Sequence, residues 1–281
     1  MKIGVSSYSF HQAVTAGRMN TYDIVDAAAR MGFEAIDFAV LLGDDPLDQM
    51  CEKLGCQARD AGLSVENYAV SADFLKNDLH QEIERVKGEV ENAVRLGART
   101  FRHDAAWGLT EGGAVRTFDG ALERIAEGCR AVTEYAQQRG IRTMVENHGQ
   151  FVQDSARVEK LVGAVNHENF GVLVDMGNFL CADEDPAHAV GVLAPYAFHV
   201  HAKDFFYKPC SAINPGEGWF ETRAGAYLRG TIVGHGSVPV QAALRILRRA
   251  GYDGAVAIEF EGMEPCEEAL RISKENLARL L

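Results

Sequence analysis

The sequence has no excess of basic residues. Asp and Glu together number 40 and Lys and Arg 28, which gives a formal net charge of −12. An acidic chain attracts cations and repels polyanions, so binding a nucleic acid would require a concentrated basic patch. The sequence contains no such patch, and we therefore expect no nucleic-acid partner.

Long apolar runs are also missing. A helix needs about 20 consecutive apolar residues to cross a bilayer, and no run in the sequence approaches that length. No basic-then-apolar leader precedes the first strand-like run, at 3–10. These features predict a protein that is not bound to a membrane and that resides in the cytoplasm.

The cysteines are few and show no pairing pattern. There are six, scattered along the chain with no C-x-x-C motif. Scattered cysteines of this kind indicate free thiols in a reducing compartment and argue against a disulfide framework or a thiolate zinc site. They are Cys51, Cys56, Cys129, Cys181, Cys210 and Cys266.

Apolar strand-like runs alternate with helical patterns in units of roughly 30 residues, the size of a βαβ step. The predicted strands are 3–10, 33–40, 63–70, 98–104, 142–148, 171–177, 197–203 and 255–261. Eight strands alternating with eight helices predict an α/β fold, a (β/α)8 TIM barrel forming a single domain over 1–281. An open doubly wound sheet is the alternative, but the residues after the first strand form no Gly-rich phosphate turn.

One connection is much longer than the others. The segment 205–237, after the predicted seventh strand, is rich in glycine, proline and aromatic residues. Long loops inside a compact domain are usually functional or disordered. We expect this one to be a loop that covers the catalytic end of the barrel and brings Trp219 and Arg229 toward a substrate.

Four groups that bind metals or move protons stand at the ends of the last four predicted strands: Glu146, Asp175, His201 and Glu259. In a barrel, side chains at the carboxyl ends of the strands meet at one mouth. Three carboxylates and one imidazole suit one divalent ion, Mn²⁺, Mg²⁺ or Co²⁺, with Zn²⁺ also compatible. The sequence therefore predicts a metal site formed by these four residues.

Further polar residues are expected at the same mouth. We predict substrate contacts for His148, Asn178, Lys203, His103 and Glu66, in addition to the two residues of the long loop. His199 lies two residues before His201, so both side chains point to the same side of their strand, with His199 one layer deeper.

The sequence resembles the sugar phosphate isomerase/epimerase family, whose members have a xylose isomerase-like TIM barrel. The resemblance lies in the segments Val145–Gly149, Leu173–Asn178, His199–Asp204 and Gly251–Glu259. It implies the same four metal ligands, and the ketose 3-epimerase branch implies that Glu146 and Glu259 also exchange a proton with the sugar. The chain departs from that branch, because Asn178 and Tyr207 stand where a histidine and an arginine contact the sugar.

The resemblance and the residue pattern together predict a metal-dependent isomerase or epimerase. Its substrate would be a keto sugar or polyol-derived ketone, deprotonated beside the carbonyl through a metal-stabilised enediolate, with Glu146 and Glu259 as catalytic residues. A dehydratase or lyase using the same metal site is the alternative. An apurinic-site endonuclease and a non-catalytic sugar-binding barrel are less expected. Relatives in this family imply a homodimer or homotetramer.

Overall fold

The computed structural model describes residues 1–75 and 78–281 of the chain. The strands in this part are β1 (Lys2–Ser6), β2 (Ala35–Ala39), β3 (Ser64–Val70), β4 (Thr100–His103), β5 (Arg142–Glu146), β6 (Phe170–Asp175), β7 (Ala197–Ala202), β8 (Asp204–Lys208), β9 (Phe220–Glu221), β10 (Tyr227–Thr231) and β11 (Ala255–Ile258). A closed parallel barrel runs in the order β1-β11-β7-β6-β5-β4-β3-β2. The predicted (β/α)8 barrel is therefore confirmed.

Helices surround the barrel. Those in the described residues are α1 (His11–Thr15), α2 (Asp23–Arg30), α3 (Leu47–Asp60), α4 (Leu79–Leu96), α5 (Phe118–Gln137), α6 (Ser155–Val165), α7 (Pro186–Leu193), α8 (Val240–Arg249) and α9 (Cys266–Leu280). The side chains of Asp78, Thr117 and Asp154 accept backbone N–H groups at the starts of α4, α5 and α6, which satisfies donors that a helix leaves unpaired. None of these helices is both long and apolar enough to cross a membrane.

The first strand is shorter than its apolar run suggests. The sequence predicts a strand over 3–10, but β1 ends at Ser6 and a 3-10 helix follows over Ser7–Phe10. The Ser6 hydroxyl accepts the backbone N–H of Tyr8, which caps this short helix. The turn begins where the strand reaches the barrel mouth.

The long connection predicted after β7, segment 205–237, contains regular structure that the sequence does not reveal. It contributes β8, β9 and β10, which pair antiparallel in the order β8-β10-β9. Arg229 in β10 lies opposite Phe206 in β8. The hairpin tip is held to the loop after β5, because Arg223 donates to the Gln150 carbonyl at 2.7 Å and contacts Asp154 at 3.2 Å. The segment is therefore an ordered sheet.

A buried aspartate ties the end of this segment to the barrel. Asp204 is 1% exposed, and its two carboxylate oxygens accept the backbone N–H groups of Phe205, Gly234, Gly236 and Val238 at 2.9–3.0 Å. A Cβ atom at Gly236 would lie 2.2 Å from the carboxylate. Glycine at this position lets the backbone reach Asp204.

Gly236→Ala is expected to destabilise the fold by about 1–3 kcal/mol, because the added methyl overlaps the Asp204 carboxylate. Gly163→Ala is the matched control. Gly163 lies in the exposed part of α6 with open space around its Cβ, so this change should stabilise by about 0.5–1 kcal/mol. Urea unfolding measures both free energies. Equal effects of the two substitutions would contradict the packing described for Asp204.

Candidate active site and metal centre

The predicted four-residue set meets at the carboxyl end of the barrel. Glu146 ends β5, Asp175 ends β6, His201 lies in β7, and Glu259 directly follows β11. One ligand atom from each side chain lies within 4.8 Å of the other three. Asp175 is fully buried and the other three are at most 9% exposed. The strands therefore bring three carboxylates and one imidazole to one small buried volume.

Two atoms of this cluster have no hydrogen-bond partner, Asp175 Oδ2 and His201 Nδ1. His201 Nδ1 is 3.5 Å from Glu259 Oε2 and 3.9 Å from Asp175 Oδ2. Buried polar atoms are rarely left unpaired, since an unpaired one costs about 1–3 kcal/mol. Carboxylate oxygens and an imidazole nitrogen gathered this closely fit a divalent cation.

Lys203 supplies a positive charge beside these carboxylates. Its ammonium nitrogen is 2.8 Å from Glu259 Oε2 and 3.4 Å from Asp175 Oδ2, and it donates to Glu261 at 2.9 Å. Burial alone would lower the pKa of Lys203, but the surrounding carboxylates, Asp175 first, raise it well above its ordinary value. Lys203 therefore stays charged and offsets part of the acidic charge.

The environments of the two acids nearest Lys203 differ. Burial raises the pKa of Asp175 to about 6, with Lys203 opposing the rise. Burial also acts to raise the pKa of Glu259, but Lys203 and His201 more than offset it and hold that pKa well below its usual range. Lys203 and His201 both lie closer to Glu259 than to Asp175, which explains the difference.

Glu146 is held by a residue that we did not predict from the sequence. Arg102 in β4 places Nε 2.8 Å from Glu146 Oε2 and Nη2 2.8 Å from Asp104. Asn178 donates to the other Glu146 oxygen at 3.0 Å and accepts from Lys203 at 3.2 Å. The predicted residues Asn178 and Lys203 thus belong to the cluster. An arginine inside an apolar strand was the available signal for Arg102.

His148 pairs with an acid and faces the same cavity as the cluster. Its Nδ1 lies 3.0 Å from Asp104 Oδ1. Because a carboxylate only accepts, Nδ1 carries the hydrogen and Nε2 is left to exchange a proton. Burial lowers the pKa of His148, but the hydrogen bond to Asp104 outweighs it and the pKa ends above its ordinary value. His148 is thus placed for acid–base chemistry.

A cavity of about 340 Å³ opens over the cluster, which is a suitable size for a small polar ligand. Glu146, His201 and Glu259 form part of its floor. The sequence did not single out the other main lining residues, which are Tyr8, Val40, Arg102, Trp107 and Glu261. Polar and charged groups therefore surround any ligand on one side, while Val40 and Trp107 offer it apolar surface.

Glu66 lies far from this site, so its predicted contact with substrate does not fit the structure. It is in the first half of β3, and its carboxylate is 3.7 Å from Lys2, at the start of β1, and 3.7 Å from Arg99, just before β4. Strand starts meet at the opposite end of the barrel from the cavity.

His103 also points away from the cavity. It is fully buried, and its ring packs within 5.7–6.2 Å of Phe74, Phe101 and Phe170. Side chains alternate along β4, so Arg102 faces the mouth and His103 faces the helices. The sequence analysis predicted a substrate contact for His103, but its neighbour Arg102 is the residue of β4 that lines the cavity.

Trp219 and Arg229 contact each other instead of the cavity. The Arg229 guanidinium lies 5.7 Å from the Trp219 ring and 5.0 Å from the Phe206 ring. Within the described residues, neither lines the cavity over the cluster. Their predicted contact with substrate remains a prediction that this arrangement does not support.

The fold agrees with the family to which the sequence belongs. The sequence profile of the xylose isomerase-like TIM barrel family matches residues 25–280. This match covers most of the chain, so the protein is a member of that family.

The curated relatives include inosose dehydratase 1 of Bacillus cereus, 27% identical over 158 residues. The alignment covers 54% of this chain and 52% of the relative, so the chain spans about half the length of that protein. Two solved structures share the fold. IOLI protein with a binding zinc atom has a TM-score of 0.75 at 18% identity, covering 100% and 98% of the two chains. L-ribulose 3-epimerase has a TM-score of 0.73 at 16% identity, covering 100% and 94%.

His103→Phe is expected to remove a pH-dependent part of the folding stability. Burial lowers the pKa of His103 to about 4 from an ordinary value of 6.5. As the pH falls, the His103 imidazole therefore takes up a proton in the unfolded chain before it does so in the native state. The free energy of unfolding decreases by about 3 kcal/mol between pH 6.5 and pH 4. Urea unfolding at several pH values measures the difference between wild type and variant. A constant difference from pH 7 to 4.5 would contradict the burial of an uncharged imidazole.

Lys203→Met is expected to destabilise the metal-free protein by about 3–5 kcal/mol, because it leaves buried carboxylates without their nearest cation. A divalent metal should recover more stability in this variant than in wild type, since the ion supplies the missing charge. Thermal unfolding with and without Zn²⁺ checks this. Lys160→Met, at an exposed ion pair with Asp119, is the control. An equal Zn²⁺ effect on Lys203→Met and wild type would contradict the account.

Proposed function

We propose that this protein is a metal-dependent dehydratase acting on an unphosphorylated keto sugar or polyol-derived ketone. It removes the proton beside the carbonyl and expels the β-hydroxyl group as water. The observation that carries this proposal is the position of His148. An imidazole oriented by Asp104 lines the same cavity as the Glu146, Asp175, His201 and Glu259 cluster. The site thus combines a metal-binding set with a separate acid–base group.

The four cluster residues would hold one divalent ion, of the Mn²⁺, Mg²⁺, Co²⁺ or Zn²⁺ kind. The unpartnered atoms of Asp175 and His201 support this assignment, and the zinc named for the structural relative agrees with it. When bound, the ion would polarise the substrate carbonyl and stabilise the negative charge that develops on its oxygen.

Each step can be assigned to a side chain of this site. Glu259, which accepts a hydrogen bond from Ser6 at 3.1 Å, or Glu146 takes the carbon-bound proton. The electrons of that C–H bond form a carbon–carbon double bond, and the C–O bond to the β-hydroxyl breaks. His148 gives its Nε2 proton to the departing hydroxide, which leaves as water. The carboxylate then releases the abstracted proton to solvent, and His148 Nε2 takes up a proton from solvent.

The charges around the cavity argue for an unphosphorylated substrate. Arg102, which lines the cavity, and Lys203, which lies beside the cluster, are already paired with acidic side chains. Among the described residues, five carboxylates belong to the cluster or line the cavity, those of Asp104, Glu146, Asp175, Glu259 and Glu261. A phosphate dianion would meet more negative than positive charge here, and hydroxyl groups would meet many acceptors.

The isomerase or epimerase that the sequence predicts is the second candidate. The observation in its favour is that both Glu146 and Glu259 line the cavity, so two carboxylates could act on one substrate. The matched part of inosose dehydratase 1 favours the dehydratase. The net charge of −12 disfavours the apurinic-site endonuclease, and a non-catalytic sugar-binding barrel would bind ligand without turnover.

The test uses metal-loaded protein, a panel of inososes and keto sugars in deuterated water, and nuclear magnetic resonance of the products. The proposal expects deuterium uptake beside the carbonyl and loss of water. His148→Asn should slow water loss by about 100-fold or more while deuterium uptake persists, because only the acid is removed. His188→Asn, an exposed histidine in α7, is the control and should behave like wild type.

The outcomes separate the candidates. Deuterium uptake with inversion or carbonyl transfer and no water loss would replace the dehydratase by the isomerase or epimerase. Both the dehydratase and the isomerase or epimerase would be rejected if no ketone took up deuterium and Glu259→Gln behaved like wild type with every ketone.

A further inference from the structure

Asp37 lies inside the barrel below the candidate metal centre, in a position that no step above uses. It belongs to β2 and is 2% exposed. Its carboxylate oxygen Oδ2 lies 2.6 Å from His199 Nε2 and 3.1 Å from His201 Nε2. Both histidines belong to β7, three strands away around the barrel, so this contact crosses the interior.

Small residues on the intervening strands make room for this contact. Between β2 and β7 lie β1 and β11, where Gly4 pairs in register with Ala257, and Ala257 pairs with His201. A Cβ atom at Gly4 would lie 3.1 Å from the Ala35 Cβ and 3.4 Å from the Ala257 Cβ. Gly4, Ala35 and Ala257 therefore present side chains no larger than a methyl group on β1, β2 and β11, which leaves room for Asp37 to reach the imidazoles of β7.

The contact decides which nitrogen of His201 carries hydrogen. A carboxylate only accepts hydrogen bonds, so His201 Nε2 must donate to Asp37. In the neutral ring the other nitrogen, Nδ1, then keeps its lone pair. That nitrogen faces Glu259 Oε2 at 3.5 Å and Asp175 Oδ2 at 3.9 Å and has no hydrogen-bond partner.

We propose that Asp37 is a positioning residue of the metal centre: it fixes His201 in the tautomer and orientation that present Nδ1 to the cation. His199 shares the same carboxylate oxygen and holds Asp37 in place from below. The inference rests on the proposed metal-dependent function but concerns metal binding, which can be measured without any substrate. Groups that orient a ligating histidine typically change metal affinity by 10–100-fold when they are altered.

The first experiment measures Zn²⁺ affinity by competition with a chelator, for the full-length wild type and for Asp37→Asn. The amide is similar in size to the carboxylate, but its NH2 group can donate to Nε2, which favours the Nδ1–H tautomer that cannot bind a cation. We expect a 10–100-fold loss of affinity. An affinity within about twofold of wild type would overturn the proposal.

Glu261→Gln is the charge-matched control. It removes one negative charge that lies beside Lys203 at 2.9 Å, but Glu261 makes no contact with His201 among those of the described residues. A purely electrostatic role for Asp37 predicts similar losses in the two variants, and that result would count against the proposal. Positioning predicts a clearly larger loss for Asp37→Asn.

The second experiment needs no variant, so it stands even if Asp37→Asn does not fold. Nitrogen-15 resonances of the His201 ring in the wild-type protein with Zn²⁺ report both ring nitrogens. The expected result is a protonated Nε2 and a metal-bound Nδ1. Binding through Nε2 would overturn the proposal. Absence of dehydratase activity would not change either measurement, so failure of the proposed function is distinguishable from failure of this inference.

Discussion

The repulsion between buried acids is the constraint on which this site depends. Glu146, Asp175 and Glu259 converge at the end of the barrel, and each is at most 9% exposed. Carboxylates at such distances cannot all remain charged in a buried place without nearby positive charge. Lys203 and Arg102 supply part of it. The two unpartnered atoms at the centre of the cluster indicate where a divalent cation would supply more.

The surrounding structure holds the charged groups in place. Asp204, the residue after Lys203, is fixed by the backbone N–H groups of Phe205 in β8 and of Gly234, Gly236 and Val238 after β10, so these residues also secure the backbone next to the lysine. On the other side, the Arg102 guanidinium joins Glu146 to Asp104, and Asp104 in turn orients His148. The candidate metal ligand Glu146 and the proposed acid–base group His148 are therefore parts of one network, in which a change at one position alters the others.

Much of the site could be predicted because residues at the carboxyl ends of barrel strands all lie at the same end of the barrel. Glu146, Asp175, His201 and Glu259 each end an apolar run, and ends of parallel strands meet. Arg102 was missed for a physical reason. A barrel strand is buried on both faces, so β4 shows no apolar–polar alternation that would tell whether Arg102 or His103 faces the mouth. Glu66 lies in the first half of its strand, and the same strand-end rule excludes it.

The segment 205–237 shows the other limit of sequence reasoning. Its glycines and prolines are typical of a loop, yet Gly236 permits close backbone approach to Asp204, and the segment forms three short strands. The partners that order it, Asp154 and the Gln150 carbonyl among them, are about 70 residues away along the chain. Contacts over such separations leave no local pattern, so Trp219 and Arg229 could not be placed from their own neighbourhood.

The central claim is that a single divalent cation is bound by three acids and one imidazole. Anomalous X-ray diffraction from crystals grown with Mn²⁺ tests it most directly. The account predicts one strong peak about 2.0–2.3 Å from ligand atoms of Glu146, Asp175, His201 and Glu259. A map with no peak there at saturating Mn²⁺ would contradict it.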